Sequence, residues 1–164
     1  MTEEKRKKRN AERLKELFPA FSTRIAKVIA DMEALGERPR IQDAYRSPED
    51  QLKAFNSGHS KLKFGFHNVT GSNGEKESLA VDMLDDNNPL NPKPKYLLKL
   101  AFASEKNGLE TGIRWDVPSN LVKAIDAAIA NKNFDDPVKV GWDPTHIQPT
   151  GISVSEAKAG KRPS

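Results

Sequence analysis

The chain has 164 residues, 36% of them hydrophobic, with 27 Lys plus Arg against 23 Asp plus Glu and a formal net charge of +4. That length fits one domain, the 30% of charged residues leaves enough apolar runs for a core, and no run reaches the ~18 apolar residues of a membrane span. Cysteine is absent, which excludes disulfides and thiolate metal sites and leaves His, Asp and Glu as the side chains able to hold a metal.

The N-terminus, Met1 to Asn10, carries the basic run Lys5 to Arg9 with no apolar signal core behind it, so the expectation is cytoplasmic synthesis without a signal peptide. A second basic cluster runs from Lys158 to Arg162. Residues 1–10 therefore read as a flexible basic arm, 11–150 as a single domain and 151–164 as a flexible tail. Such ends can meet nucleic acid, an anionic membrane or an anionic wall polymer, and a solvated end is the plainer reading.

Within the domain, Leu14, Leu17, Phe18, Phe21, Ile25, Val28, Ile29 and Met32 recur at helical spacing, which predicts a helix over Ala11 to Leu35, broken or kinked at Pro19 and stopped by Gly36. A short stretch from Pro39 to Tyr45 leads to Ser47-Pro48-Glu49-Asp50. Ser47 is a good N-cap, Pro48 suits the first helical position and the two acids favour the positive end of a short helix that runs to about Ser57.

Residues His59 to Ser78, with Gly65, Gly71, Asn73 and Gly74 and no periodicity, read as a long loop, and a loop of that length in a small domain is more often functional than filler. Leu79 to Leu84 alternates as a buried strand that carries one acid, Asp82. Tyr96 to Lys106 reads as a helix with Gly108 as its stop, Gly112 to Trp115 as extended, and Ser119 to Ala130 as a further helix capped by Ser119. Val138 to Trp142 reads as a short strand running into Asp143-Pro144-Thr145-His146-Ile147-Gln148, with Trp142 in the core. Helices first and short strands later predict an α+β fold with a small antiparallel sheet flanked by helices.

The residue types able to hold a metal converge on His67, Asp82 and His146, with His59 as a spare. Two His and one carboxylate satisfy the three-ligand count of a hydrolytic zinc site that keeps a fourth position for water. In Asp143-Pro144-Thr145-His146, a proline at the second place of a β-turn would bring Asp143 and His146 to the same side, where the carboxylate can take a proton from the water and hand it to a leaving amine. The plainer alternatives are an ordinary Asp-Pro turn and, for Asp82, a strand-end cap.

Tyr45-Arg46-Ser47 with Gln51, Gly58-His59-Ser60-Lys61, His67 with Ala80-Val81-Asp82, and Trp142-Asp143-Pro144-Thr145-His146 come in the order of a known family. From about Arg40 to Gln148 the chain resembles the zinc-dependent D-Ala-D-Ala carboxypeptidases and L-alanyl-D-glutamate endopeptidases, which share a fold with the Hedgehog signalling domain. The resemblance implies Zn²⁺ held by His67, Asp82 and His146, Asp143 as catalytic base, Arg46 stabilising an oxyanion or holding a peptide carboxylate, and Ser60 in a loop that is architectural or lines the substrate. Arg46 reads equally well as a surface salt-bridge residue.

Three departures bear on substrate preference. His67 and Asp82 are 15 positions apart where the family spacing is about seven, so Asn68 to Leu79 holds an insertion. Gly65 stands where the family often has Ser. The final stretch reads His146-Ile147-Gln148, without the family's acid after the histidine, which removes a carboxylate that could orient the imidazole. The length from Asp116 to Val140 further predicts a helix that shapes the cleft.

The expected function is hydrolysis of a peptide bond in peptidoglycan stem peptides, either L-Ala-D-Glu or D-Ala-D-Ala, by a monomeric phage or prophage lysis enzyme or virion part acting on the cell wall. The alternative is a non-catalytic wall-binding or virion structural module on the same fold. No specific nucleic-acid partner is expected, since no aromatic stacking platform accompanies the basic run.

Overall fold

The computed structural model describes residues 1–164. In chain order the elements are α1 (Glu3–Leu14), α2 (Pro19–Ala34), β1 (Pro39–Asp43), α3 (Pro48–Asn56), a 3-10 turn (Phe66–Asn68), β2 (Val81–Asp85), α4 (Pro94–Lys106), β3 (Leu109–Gly112), α5 (Ser119–Ala130), β4 (Asp143–Pro149) and α6 (Val154–Lys158). The four strands form one antiparallel sheet in the order β1-β2-β4-β3, so the fold is α+β as expected. No helix is long and apolar enough to cross a membrane.

The local signals act where the sequence placed them. The Ser47 hydroxyl accepts from the Asp50 N–H at 3.1 Å and Pro48 opens α3. Pro19 separates α1 from α2 by occupying the first position of α2, where its missing N–H costs nothing. Ser119, by contrast, is the first residue of α5 rather than its cap, and no side chain caps that helix.

Alternation divides β2 between two faces. Val81 and Met83 are fully buried in the one core cluster that also holds Phe21, Ile25, Val28 and Met32 of α2 and Leu97, Leu98, Leu100 and Ala101 of α4, while Asp82 lies on the opposite, partly open face. On β4, Ile147 pairs with Val81 on the helix face and His146 pairs with Asp82 on the open one. A strand pairing thus sets a histidine directly opposite a carboxylate.

The N-terminal residues differ from the expected flexible arm. They form α1, which lies along the edge strand β1. The Arg6 and Asn10 side chains both donate to the Pro39 carbonyl, Asn10 accepts from the Ile41 N–H, and Arg9 donates to the carbonyls of Ile41 and Gln42. The helix satisfies the open edge of the sheet with side chains where a fifth strand would use its backbone. Part of the basic run is thereby consumed internally, and Arg6 is 1% exposed.

The C-terminal tail is likewise folded. Ser153 caps α6, Ala157 is buried, and the Arg162 guanidinium pairs with Glu77 and donates to the Thr70 carbonyl. The predicted strand over Val138 to Trp142 is irregular chain, and the strand begins instead at Asp143. Helix α5 packs on α4 and supplies no side chain to the cleft described below, so it does not shape it.

Candidate metal centre and cleft

Three side chains meet on the open face of the sheet. His67 arrives from the 3-10 turn, Asp82 from β2 and His146 from β4, and one ligand atom from each lies within 4.8 Å of the others. His67 Nε2 is 3.5 Å from Asp82 Oδ2, and His146 Nδ1 is 3.4 Å from Asp82 Oδ1. His59 is outside this group. It is exposed and its ring contacts the Ser57 hydroxyl.

The insertion explains how His67 reaches Asp82 across 15 positions. Residues 69–77 fold back as a tight excursion in which Thr70 bridges Lys76, Gly71 N–H donates to the Glu75 carbonyl and Glu77 N–H returns to the Val69 carbonyl. Leu79 N–H then bonds the Phe66 carbonyl, and the buried Ser78 hydroxyl is held by the Ala44 and Ala80 carbonyls. The excursion closes on itself and leaves the ligand spacing in space unaffected, since added loop length costs little.

Each imidazole has its remote nitrogen committed. His67 Nδ1 donates to the Ala44 carbonyl at 2.7 Å, which leaves the lone pair on Nε2 facing Asp82. His146 Nε2 donates to Gln148 Oε1 at 2.9 Å, which leaves the lone pair on Nδ1 facing Asp82. Gln148 in turn donates from its amide nitrogen to Glu110 Oε1 at 2.9 Å. Because a carboxylate only accepts, Glu110 fixes which way the Gln148 amide points, and hence which nitrogen of His146 carries the proton. The carboxylate missing after His146 in the sequence is therefore supplied from β3, one residue further out.

Two imidazole nitrogens and a carboxylate this close together could hold a divalent cation. Burial alone would raise the Asp82 carboxyl, but the two histidines in their protonated forms pair with it and hold the group far below the usual carboxylate range; a metal would have to displace those protons to reach the ring nitrogens. Burial alone would lower His67, yet the bond to Asp82 and its charge raise it.

Asp143 reaches the site by a different route from the expected turn. It opens β4, where the register with β3 jumps from Thr111↔Ile147 to Gly112↔Asp143. Pro144, Thr145 and His146 bulge between those pairs, as suits a proline with no N–H to give the ladder. The bulge folds Asp143 back so that its Oδ2 is 3.9 Å from His146 Nδ1. Burial, with the Asp82 charge adding to it and the histidines opposing, raises the Asp143 carboxyl above its ordinary value.

The group lies in a cavity of about 1100 Å³ whose lining also includes Arg46, Ser60, Lys76, Trp115, Asp116 and Trp142. Arg46 is exposed, carries no carboxylate partner and makes a single long contact, 3.3 Å, to Gln51 Oε1. The Ser60 hydroxyl is engaged by Gln51 Nε2 at 2.8 Å and by the Leu62 backbone, so it braces the loop at the cleft wall. Trp142 corrects its assignment to the core: it is 67% exposed. Trp115, which the sequence did not single out, packs between it and His146, with ring centroids 5.5 and 5.4 Å away.

Neither a protein-family model nor a curated protein sequence matches the chain. Among solved structures, the crystal structure of the Serratia marcescens L-Ala D-Glu endopeptidase ChiX matches with a TM-score of 0.53 over 87% of this chain and 86% of that one, at 17% sequence identity. The chain shares that protein's fold over most of its length.

Proposed function

We propose that the protein is a zinc-dependent peptidase that hydrolyses a peptide bond in bacterial peptidoglycan stem peptides, L-Ala-D-Glu or D-Ala-D-Ala. The observation that carries this reading is the convergence of His67, Asp82 and His146 with a fourth, proton-competent group, Asp143, 3.9 Å from His146. The fold shared with an L-Ala D-Glu endopeptidase supports the substrate class.

His67, Asp82 and His146 would hold the metal, and Ala44 and Gln148 keep the two rings oriented for it. A zinc ion held there would supply Lewis acidity and an acidified water. Asp143 accepts the proton of the attacking water and returns it to the departing amine nitrogen, so that one carboxylate serves as base and then acid. The unpaired guanidinium of Arg46 meets negative charge, either on the carbonyl oxygen during attack or on the carboxylate of the residue that leaves. The setting that fits the resemblance is a monomeric phage lysis or virion-associated enzyme, and the +4 net charge suits an anionic wall.

Mass spectrometry of defined stem peptides, with chelator and with Zn²⁺ restored, tests this. Chelator-sensitive loss of terminal D-Ala or appearance of a D-Glu amino terminus is expected. No cleavage of any stem peptide would overturn the reading in favour of a wall-binding module.

A further inference from the structure

Trp142 is an anomaly for a folded core: an indole 67% exposed on the rim of the cleft. Its mounting is rigid. Gly141 N–H bonds the Ile113 carbonyl at 2.6 Å. A Cβ on Gly141 would come within 2.3 Å of the Gly112 carbonyl oxygen and 2.7 Å of the Trp115 backbone, so only glycine permits the two segments to close this tightly. The approach sets Trp142 against Trp115, which rests on the His146 ring. Asp116, next to Trp115, is exposed, has a φ of 59° and lines the same cavity, and its carboxylate bonds no side chain or backbone group.

A flat aromatic face beside an unpaired carboxylate is the chemistry that holds a pyranose ring: the C–H face stacks on the indole and the hydroxyls donate to the acid. A purely apolar peptide side chain would have no use for Asp116, and an ammonium group on the open indole face is the competing occupant that the test below separates from a sugar. We propose that Trp142, backed by Trp115 and flanked by Asp116, is a subsite for the N-acetylhexosamine ring to which the stem peptide is attached.

The inference rests on the peptidase reading and narrows it. In peptidoglycan the first residue of the stem, L-Ala, is joined to the sugar through a lactyl ether. One residue spans at most about 3.6 Å and four about 14 Å. The ring centroids lie 5.5 Å apart from Trp142 to Trp115 and 5.4 Å from Trp115 to His146, a separation that the lactyl group and L-Ala together can bridge when the L-Ala carbonyl lies beside His146, whereas a D-Ala-D-Ala bond placed there requires the intervening residues to fold back. The subsite favours the L-Ala-D-Glu bond.

The test compares a free stem tetrapeptide with the same peptide on N-acetylmuramic acid. The wild-type protein is expected to prefer the muramoyl peptide by about tenfold in kcat/KM, with the effect in KM, and the preference falls toward one in Trp142→Ala and is largely restored in Trp142→Phe. Equal kcat/KM for both substrates in the wild type, or a preference that follows a basic third residue instead of the sugar, overturns the proposal. A second readout is independent of turnover. The peptide-free disaccharide of N-acetylglucosamine and N-acetylmuramic acid, titrated against the wild-type protein, should shift the indole N–H signals of Trp142 and Trp115, and unmoved signals overturn the subsite. Shifted signals without cleavage of any peptide would leave the sugar site standing and remove the peptidase reading.

Discussion

Gly112 pairs with Asp143 across β3 and β4, and a Cβ on Gly112 would lie 2.1 Å from the Asp143 carbonyl oxygen. The position of the proposed base thus depends on the absence of a side chain on the neighbouring strand. Gly112→Ala must push the start of β4 away, at a cost of about 1–3 kcal/mol in stability. Since His67, Asp82 and His146 are anchored elsewhere, the expected result is Zn²⁺ binding close to wild type with kcat lowered at least tenfold, read by calorimetric metal titration beside single-turnover kinetics. A variant with undiminished kcat would show that Asp143 does not need this placement.

The line from His146 through Gln148 to Glu110 makes a prediction about metal affinity. Glu110→Ala frees the Gln148 amide to turn, and Gln148→Ala removes the acceptor that fixes the His146 tautomer. Each should weaken Zn²⁺ binding by about 10- to 100-fold, and the double variant should be little worse than Gln148→Ala because the two act in series. Additive losses in the double variant would separate Glu110 from the metal site.

Helix α1 gives the protein a response to acid. Arg6 and Arg38 hydrogen-bond the Glu3 carboxylate and pull its pKa from 4.5 to about 2. A carboxyl depressed by folding stabilises the fold above its unfolded pKa and loses that contribution as pH falls through the folded one. The Glu3 contribution is therefore complete above about pH 4.5 and fades between there and about pH 2. Glu3→Gln should flatten part of the fall in melting temperature across that window while changing little at pH 7, and identical pH profiles for variant and wild type would contradict it.

The legibility of these features in the sequence follows their physics. Ser47-Pro48 is readable because capping is local, and the meeting of His67, Asp82 and His146 because only three histidines are present and one carboxylate interrupts an otherwise apolar strand. Helix α1 is not, because the face it buries is Arg6 and Asn10, so apolar periodicity has nothing to register. Strand β1 is five residues with only Pro39 and Ile41 turned inward, too short a pattern to stand out. Asp143-Pro144 has the composition of a turn, and only its pairing with Gly112 makes it a bulged strand. The partnership of Glu110 and Gln148 spans 38 positions and leaves no local trace. Trp142, in an apolar run, carries the signature of a core residue, and the close approach of Gly141 to Gly112 and Trp115 instead sets it on the rim.

If one metal and one carboxylate divide the work, stripping the wild type and Asp143→Ala of metal and titrating Zn²⁺ back, while following cleavage of a muramoyl stem peptide, separates their parts. Wild-type turnover should return in proportion to metal up to one equivalent, and Asp143→Ala should bind the same equivalent but stay about 10²- to 10⁴-fold slower. Full activity in the stripped protein, or in Asp143→Ala, would rule out that division.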